Sequence, residues 1–163
     1  MESPTTESPT GESPTSGSPT RESPTRESPT RESTDMEVPS APRGDLALRM
    51  VAMPSDTNPA GDIFGGWIMA LMDLAAGTAA AARAKGRNAT AAVSHLSFLR
   101  PVHVGDVVCV YTEVIRVGRT SMSLAVEAWA LPRGLGERHK VTAAEFVMVA
   151  VDENGKPRPV PPA

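Results

Sequence analysis

The longest apolar run of the chain covers residues 67–82, where nearly every side chain is hydrophobic or small. Two glycines, Gly65 and Gly66, open this run, and Gly86 follows it at a place where a helix commonly ends. The pattern predicts a helix over residues 65–84. Because this helix has no polar face, we expect it to be buried on all sides in the core of the protein.

The segments around this helix are rich in valine or alternate between apolar and polar residues, which is typical of strands. The predicted strands cover residues 46–53, 90–99, 107–117, 120–131 and 138–151. Short turns favour antiparallel neighbours. One apolar helix and about five strands predict an α+β domain whose sheet curls round the helix. Its exposed edge strand favours pairing with a second copy of the chain.

Residues 1–42 differ in composition from the rest of the chain. Ser-Pro-Thr occurs six times between residues 3 and 30. So much proline with so few apolar residues predicts a disordered tail, which leaves residues 43–163 as the folded domain. The tail has no apolar segment typical of a secretory signal, so we expect a cytoplasmic protein. Met36 is an alternative start of translation.

Charge and the cysteine and histidine content narrow the classes of function. The tail carries eight acidic and three basic residues, whereas residues 43–163 carry eleven acidic and thirteen basic ones. This small positive excess suits an anionic small ligand and falls short of a nucleic-acid-binding surface. The single cysteine, Cys109, is interpreted as a small buried strand residue. His95, His103 and His139 lack the spacing of metal ligands, so no metal site is predicted.

Asp73 is the one charged residue inside the apolar run. A buried carboxylate has either a structural partner or a chemical role as a general base or nucleophile. The preceding segment favours the chemical role. Gly65 and Gly66 let a ligand approach the backbone, and the N–H groups of a first helical turn are unpaired and suited to a developing oxyanion. Together with the side-chain amide of Asn58, these groups indicate acyl transfer to water.

A membrane-spanning helix is the alternative interpretation of the apolar run, whose length is close to that needed to cross a bilayer. The run is rich in alanine and contains Asp73, Gly77 and Thr78. These residues favour a core helix, so no membrane partner is predicted.

Four segments of the chain resemble hot-dog-fold acyl-CoA thioesterases, in particular the YciA-type hydrolases. The matching segments, in chain order, are residues 53–73, 98–109, 117–121 and 149–156, within a similarity that covers about residues 46–159. The resemblance implies a long central helix wrapped by a curved antiparallel sheet of about five to six strands. It also implies hydrolysis of acyl-CoA to a carboxylic acid and coenzyme A without a metal or redox cofactor, in a homodimer that commonly stacks into hexamers.

The resemblance also implies roles for individual residues. Asp73 would activate water or attack the thioester carbonyl directly, and Asn58 would hold the water or the carbonyl. A backbone N–H of Gly65 or Gly66 would polarise the carbonyl oxygen at the start of the helix. In the relatives, the loop of one subunit faces the helix aspartate of the other, so a monomer is expected to be inactive.

Further residues are candidates for contacts with the substrate. They are Phe64, Trp67, Arg100, Gly118, Arg119, Thr120 and Ser121. Arg119 and Thr120 would contact coenzyme A, with a solvated hairpin turn as the alternative. Arg100, Arg133 and Arg138 are candidates for the nucleotide phosphates, which need fixed positive charge.

Several of these assignments have alternatives that the sequence leaves open. Phe64 and Trp67 either line an acyl channel or pack in the core, and the core is favoured. Asp62 is a rival carboxylate, but it and Asp106 are interpreted as turn residues. A non-catalytic acyl-CoA-binding domain is the main alternative function. A dehydratase is less favoured, because such enzymes use a histidine near the central helix and none precedes His95.

Overall fold

A computed structural model describes residues 41–162 of the chain. In chain order the elements are β1 (Asp45–Val51), α1 (Gly65–Ala84), β2 (Asn88–Phe98), β3 (Val107–Val117), β4 (Ser121–Leu131) and β5 (His139–Ala150). Two short 3-10 turns, Pro54–Asp56 and Pro132–Gly134, connect them. The predicted helix and all five predicted strands are confirmed with boundaries within a few residues. The predicted disordered tail lies outside the described residues, apart from its last two.

The five strands form one antiparallel sheet in the order β1-β3-β4-β5-β2. β1 and β2 are therefore the two edge strands of the described domain. β2 is the strand that follows α1 in sequence, and it pairs with β5 from Asn88 opposite Ala150 to Phe98 opposite Thr142. This topology places the outer edge of β2 next to the helix that carries Asp73.

The helix packs against one face of the sheet. Its buried residues are Ile68, Leu71, Met72, Ala75, Ala76, Ala80 and Ala84. They pack with inward-facing sheet residues such as Val110, Leu124 and Phe146. The four alanines have small side chains, so the helix axis can approach the sheet closely. The core is thus built from aliphatic residues and methionine, with few aromatic rings.

The opposite face of α1 is exposed, so the expectation of burial on all sides is wrong for the single chain. Met69 is 43% exposed and Leu74 is 59% exposed, and Ala70, Asp73 and Thr78 lie on the same open face. The physical reason is that one sheet can cover only one side of a helix. By length and composition α1 could also cross a membrane, as many core helices could; its buried face against the sheet identifies it as a core helix.

The end of α1 is fixed by the C-terminal segment of the chain. Lys85 adopts a left-handed conformation, and the N–H of Gly86 donates to Ala81 O at 3.1 Å, as in a typical helix C-cap. Arg158 then donates from Nη2 to Ala84 O at 2.8 Å and from Nε to Val151 O at 3.2 Å. A guanidinium group at this position satisfies a carbonyl that has no partner within the helix and complements the helix dipole.

We expect Arg158→Ala to lower the free energy of unfolding by about 1–3 kcal/mol, because the carbonyl at the end of α1 loses a charged donor. Urea unfolding at a fixed protein concentration measures this change. Lys156→Ala is the matched control, since Lys156 is exposed and its side chain makes no hydrogen bond within residues 41–162. Equal unfolding midpoints for the two variants would contradict the role assigned to Arg158.

Candidate active site

Asp73 lies on the exposed face of α1, beside the edge strand β2. Its Oδ1 accepts a hydrogen bond of 2.5 Å from Thr90 Oγ1, and both side chains are exposed. The carboxylate lines an open groove of about 440 Å³ together with Thr78 and Asn88. The apolar surroundings expected from the sequence are therefore incomplete in the single chain. Oδ2 has no hydrogen-bond partner within the described part of the chain, so it is available to a water or a substrate.

The first turn of α1 presents two unpaired backbone donors. The N–H of Phe64 donates to Asp56 O at 2.8 Å, and that of Trp67 donates to Phe64 O at 2.9 Å. Between them, the N–H groups of Gly65 and Gly66 have no acceptor among residues 41–162. Both lie at the positive end of the helix dipole, where an oxyanion is stabilised.

Side chains at the two glycine positions would contact neighbouring aromatic rings. A Cβ atom on Gly66 would lie 2.3 Å from a ring carbon of Phe64, and one on Gly65 would lie 3.3 Å from the ring of Phe98. Side chains here would push these rings aside and cover the N–H groups. The glycine pair therefore keeps the helix N-terminus accessible.

Asn58 closes the loop that leads to α1. Its Oδ1 accepts hydrogen bonds from the N–H of Ala60 at 2.9 Å and from that of Asp62 at 3.2 Å. Its own N–H donates to Asp62 O at 2.8 Å. The side-chain oxygen is thus engaged within the loop, and only Nδ2 remains available for a ligand. Asp62 contributes its backbone to this loop, and its carboxylate is exposed without a partner among the described residues.

Asp73 and the glycine pair are too far apart to act on the same atom within one chain. Gly66 and Asp73 are seven positions apart in the helix, which corresponds to about 10 Å along its axis. A catalytic carboxylate and an oxyanion donor both have to lie near 3 Å from the reacting group. Gly66, Met69, Ala70 and Asp73 nevertheless share one helix face, because their spacing of three or four residues is close to one helical turn.

The predicted substrate contacts divide between two ends of β2. Arg100 lies two residues beyond the end of β2 and lines a pocket at the start of α1. The hairpin turn at Gly118–Ser121 lies at the other end, since Ser121 and the second residue of β2, Ala89, both pair with Val149. A strand of eleven residues spans about 35 Å. One chain therefore does not bring Arg100 and the hairpin together.

The remaining assignments have mixed outcomes. Phe64 is 58% exposed, so its expected core position is wrong, whereas Trp67 packs against the core as expected. Cys109 is buried, which confirms its interpretation. Asp106 is buried and accepts hydrogen bonds from the N–H groups of His103 and Arg133, at 2.9 and 3.2 Å, which confirms its turn role.

The arrangement of a helix aspartate, a half-buried glycine pair and an antiparallel sheet can be compared with known proteins. The family model of the thioesterase superfamily matches residues 60–137, which include Gly65, Gly66 and Asp73. The acyl-CoA thioester hydrolase YciA of Salmonella typhimurium is 49% identical over 125 residues, which are 75% of this chain and 94% of that protein. The chain belongs to the thioesterase superfamily.

Two solved thioesterases have the same fold. A hexameric thioesterase from Yersinia pestis is 46% identical with a TM-score of 0.73, covering 76% of this chain and 100% of that one. A hexameric hotdog fold thioesterase of Campylobacter jejuni is 41% identical with a TM-score of 0.68, covering 72% and 91%. The central helix and five-stranded antiparallel sheet are therefore a hot-dog fold, and the family resemblance of the four sequence segments is confirmed.

Thr90 is the neighbour of Asp73 that sequence reasoning missed in this thioesterase. It lies in a strand of alanine, valine and serine residues, where one threonine carries no signal of its own. Only the packing of β2 beside α1 reveals that its hydroxyl group reaches the carboxylate. Within residues 41–162 there is also no cluster of three or more histidine, cysteine, aspartate or glutamate residues that could hold a metal ion.

Proposed function

We propose that the protein hydrolyses acyl-CoA thioesters to a free carboxylic acid and coenzyme A. The observation that carries this proposal is the arrangement of α1, whose exposed face carries the Asp73 carboxylate and whose first turn carries the unpaired N–H groups of Gly65 and Gly66. The activity named for the YciA relative, acyl-CoA thioester hydrolysis, supports it. The reaction needs no metal or redox cofactor, and we place it in the cytoplasm.

The proposed active site is shared between two subunits. A twofold axis between Met69 and Ala70 would pack two α1 helices antiparallel and bring Gly66 of one subunit opposite Asp73 of its partner. Symmetry then creates two identical sites per dimer. The same antiparallel arrangement would extend the sheet through the outer edges of the two β2 strands. We expect this dimer to be the unit of a hexamer, the assembly reported for both solved relatives.

This dimer would also bring together the predicted substrate contacts that lie far apart in one chain, Arg100 and the hairpin turn. When two β2 strands pair antiparallel, the end of one lies beside the start of the other. Arg100 of one subunit and the hairpin Gly118–Ser121 of its partner would then lie at the same end of the joined sheet. Arg119, whose side chain makes no hydrogen bond within the described residues, would supply positive charge to the nucleotide phosphates of coenzyme A.

The reaction follows from these positions. The thioester carbonyl would bind with its oxygen at the N–H groups of Gly65 and Gly66, and Nδ2 of Asn58 would hold the water or the carbonyl. Asp73 of the partner subunit would either take a proton from water or attack the carbon itself. The negative charge on the tetrahedral carbonyl oxygen is stabilised by the two N–H groups.

The C–S bond then breaks, and the coenzyme A thiolate takes up a proton and leaves as the thiol. When water is the nucleophile, its proton passes through Asp73 to the thiolate and the carboxylic acid forms directly. When Asp73 is the nucleophile, a mixed anhydride remains, and a water molecule hydrolyses it to the carboxylic acid and the free carboxylate.

We expect Asp73→Asn to lower kcat for acyl-CoA hydrolysis by at least 100-fold, because the amide can neither accept a proton nor attack the carbonyl. Thiol release from a panel of acyl-CoA esters measures this activity. Asp62→Asn is the matched control on the rival carboxylate and should retain activity. If the wild-type protein binds these esters without releasing thiol, it is a binding domain and the proposed hydrolysis is wrong.

Mixing two inactive variants tests the shared site. Asp73→Asn and Asn58→Ala each remove a group from a different half of the proposed active site. In a dimer of one subunit of each variant, one active site is therefore intact and the other lacks both groups. After dissociation and random reassembly we expect about a quarter of wild-type activity, since half of the dimers are mixed and each has one working site. No recovery, with mixed dimers verified by mass spectrometry, would place both groups in the same chain's site.

Thr90 is proposed to position the catalytic carboxylate. We expect Thr90→Val to lower kcat by about tenfold, because a hydrogen bond to a charged group is lost. KM should change little, because Thr90 holds the carboxylate and not the substrate. Thr90→Ser keeps the hydroxyl group and should restore kcat. An unchanged kcat in Thr90→Val would show that the contact is only structural.

A further inference from the structure

Residues 158–161, which form the C-terminal strap, run from the end of β5 to the last turn of α1. The N–H of Arg158 donates to the carbonyl of Ala150, the last residue of β5, at 2.8 Å. At the other end of the strap, Arg83 Nη1 donates to Pro161 O at 2.7 Å. Arg83 and Pro161 are both half-buried. The strap is therefore tied to the sheet at its start and to the helix at its end.

Between these two ends, the strap contacts the hairpin turn that joins β3 and β4. The N–H of Val160 donates to Arg119 O at 2.9 Å, and the side chain of Val160 packs against the core. The next carbonyl of the turn, Thr120 O, accepts a hydrogen bond from the N–H of Ala150 at 2.9 Å. Each of these two turn residues is thus held by a backbone contact, and the contact to Arg119 comes from the strap.

The side chain of Arg119 depends on this turn for its position. It is exposed and has no hydrogen-bond partner among residues 41–162, so no side-chain contact in that range directs it. A cationic side chain binds a phosphate more weakly when the loop that carries it has to be ordered first, because the ordering costs free energy. The hydrogen bond from Val160 fixes the backbone of Arg119 before any ligand binds.

Arg83 has the strap as its only specific partner in the described part of the chain. Its one hydrogen-bond acceptor there is Pro161 O. Asp45 and Glu113 line the same cavity as Arg83, but neither forms an ion pair with it, and Glu113 pairs with Arg43 at 2.7 Å instead. The positive charge of Arg83 also complements the helix dipole. Its directional contact, however, holds the end of the strap.

We propose that Arg83 is a positioning residue for coenzyme A, because it holds, through the strap, the turn at which Arg119 meets the nucleotide phosphates. The inference rests on the proposed function for the ligand of Arg119. Asp73 and Arg83 are ten positions apart on α1, about 15 Å along its axis. The helix that carries the carboxylate for the thioester thus also fixes the arginine for the opposite end of the same substrate.

Calorimetric binding of coenzyme A tests the inference without any turnover. We expect Arg119→Ala to weaken binding by about tenfold, because a charged contact with phosphate is lost. Arg83→Ala should weaken it by about threefold, because the released turn has to be ordered on binding. In the Arg119→Ala background, Arg83→Ala should have no further effect. An equal loss in both backgrounds, no loss in either, or a wild-type protein that does not bind coenzyme A would overturn the inference.

The kinetics of two substrates separate positioning from a general loss of structure. For an acyl-CoA ester, Arg83→Ala should raise KM by about threefold and leave kcat unchanged. An acyl-pantetheine thioester carries no phosphate, so its KM should stay the same. A rise in KM for both substrates would overturn the inference. If coenzyme A binding shows the expected pattern while acyl-CoA esters release no thiol, the role of Arg83 stands and the proposed hydrolysis fails.

Arg87→Ala is the matched control, because Arg87 lies just beyond the end of α1 and also donates to backbone carbonyls. Its Nη1 contacts Asp152 O at 3.2 Å and Glu153 O at 2.8 Å, in the turn before the strap. Its removal leaves the strap in place, so the affinity for coenzyme A should not change. A loss as large as that in Arg83→Ala would contradict a specific role of the strap.

A chain that ends at Pro159 tests the strap from its other side. It lacks the N–H of Val160 and the carbonyl of Pro161 but keeps Arg83. It should reproduce the loss of about threefold, and adding Arg83→Ala to it should change nothing further. Wild-type affinity in this shortened chain would overturn the inference. The shortened chain also replaces Arg83→Ala if that variant loses its assembly in size-exclusion chromatography.

Discussion

The uncovered face of α1 is the constraint on which the rest of the structure depends. The helix is apolar over most of its circumference, but a five-stranded sheet covers only one side of it. Met69 and Leu74 are therefore exposed to water, which is unfavourable. Burying their apolar surface would stabilise the protein by about 25 cal/mol per Å². A second copy of the same face is a natural cover. In the proposed dimer, the pairing that covers the helix would also bring an oxyanion donor opposite a carboxylate.

The glycine pair illustrates how the site limits local stability. Glycine in a helix is less favourable than alanine by about 1 kcal/mol. Gly65 and Gly66 nevertheless occupy the first turn, where a larger side chain would displace the rings of Phe64 and Phe98. The helix thus keeps two accessible N–H groups, although glycine lowers the intrinsic helix propensity of its first turn. Such local departures from the favoured residue are typical of functional sites.

The sequence predicted the elements accurately because hydrophobic periodicity depends on local residues alone. The helix over residues 65–84 is confirmed by α1, and all five strands are present. The sequence does not show whether the apolar face of α1 packs against the same chain or against a second one. The pattern of apolar residues is the same in both cases. Phe64 was misplaced because it directly precedes the helix, where an apolar residue has the same sequence pattern whether its side chain points to the core or away from it. Thr90 was missed because its contact with Asp73 spans seventeen residues and exists only after β2 has docked beside the helix.

The environment of Asp73 connects assembly with chemistry. In the single chain the carboxylate is exposed and has Thr90 as its one hydrogen-bond donor within the described residues. An exposed carboxylate is well hydrated. Under the proposed mechanism, the partner subunit removes this water when the two helices pack together. Under the proposed pairing, the same contact supplies the N–H groups, removes water from the carboxylate and covers the apolar helix.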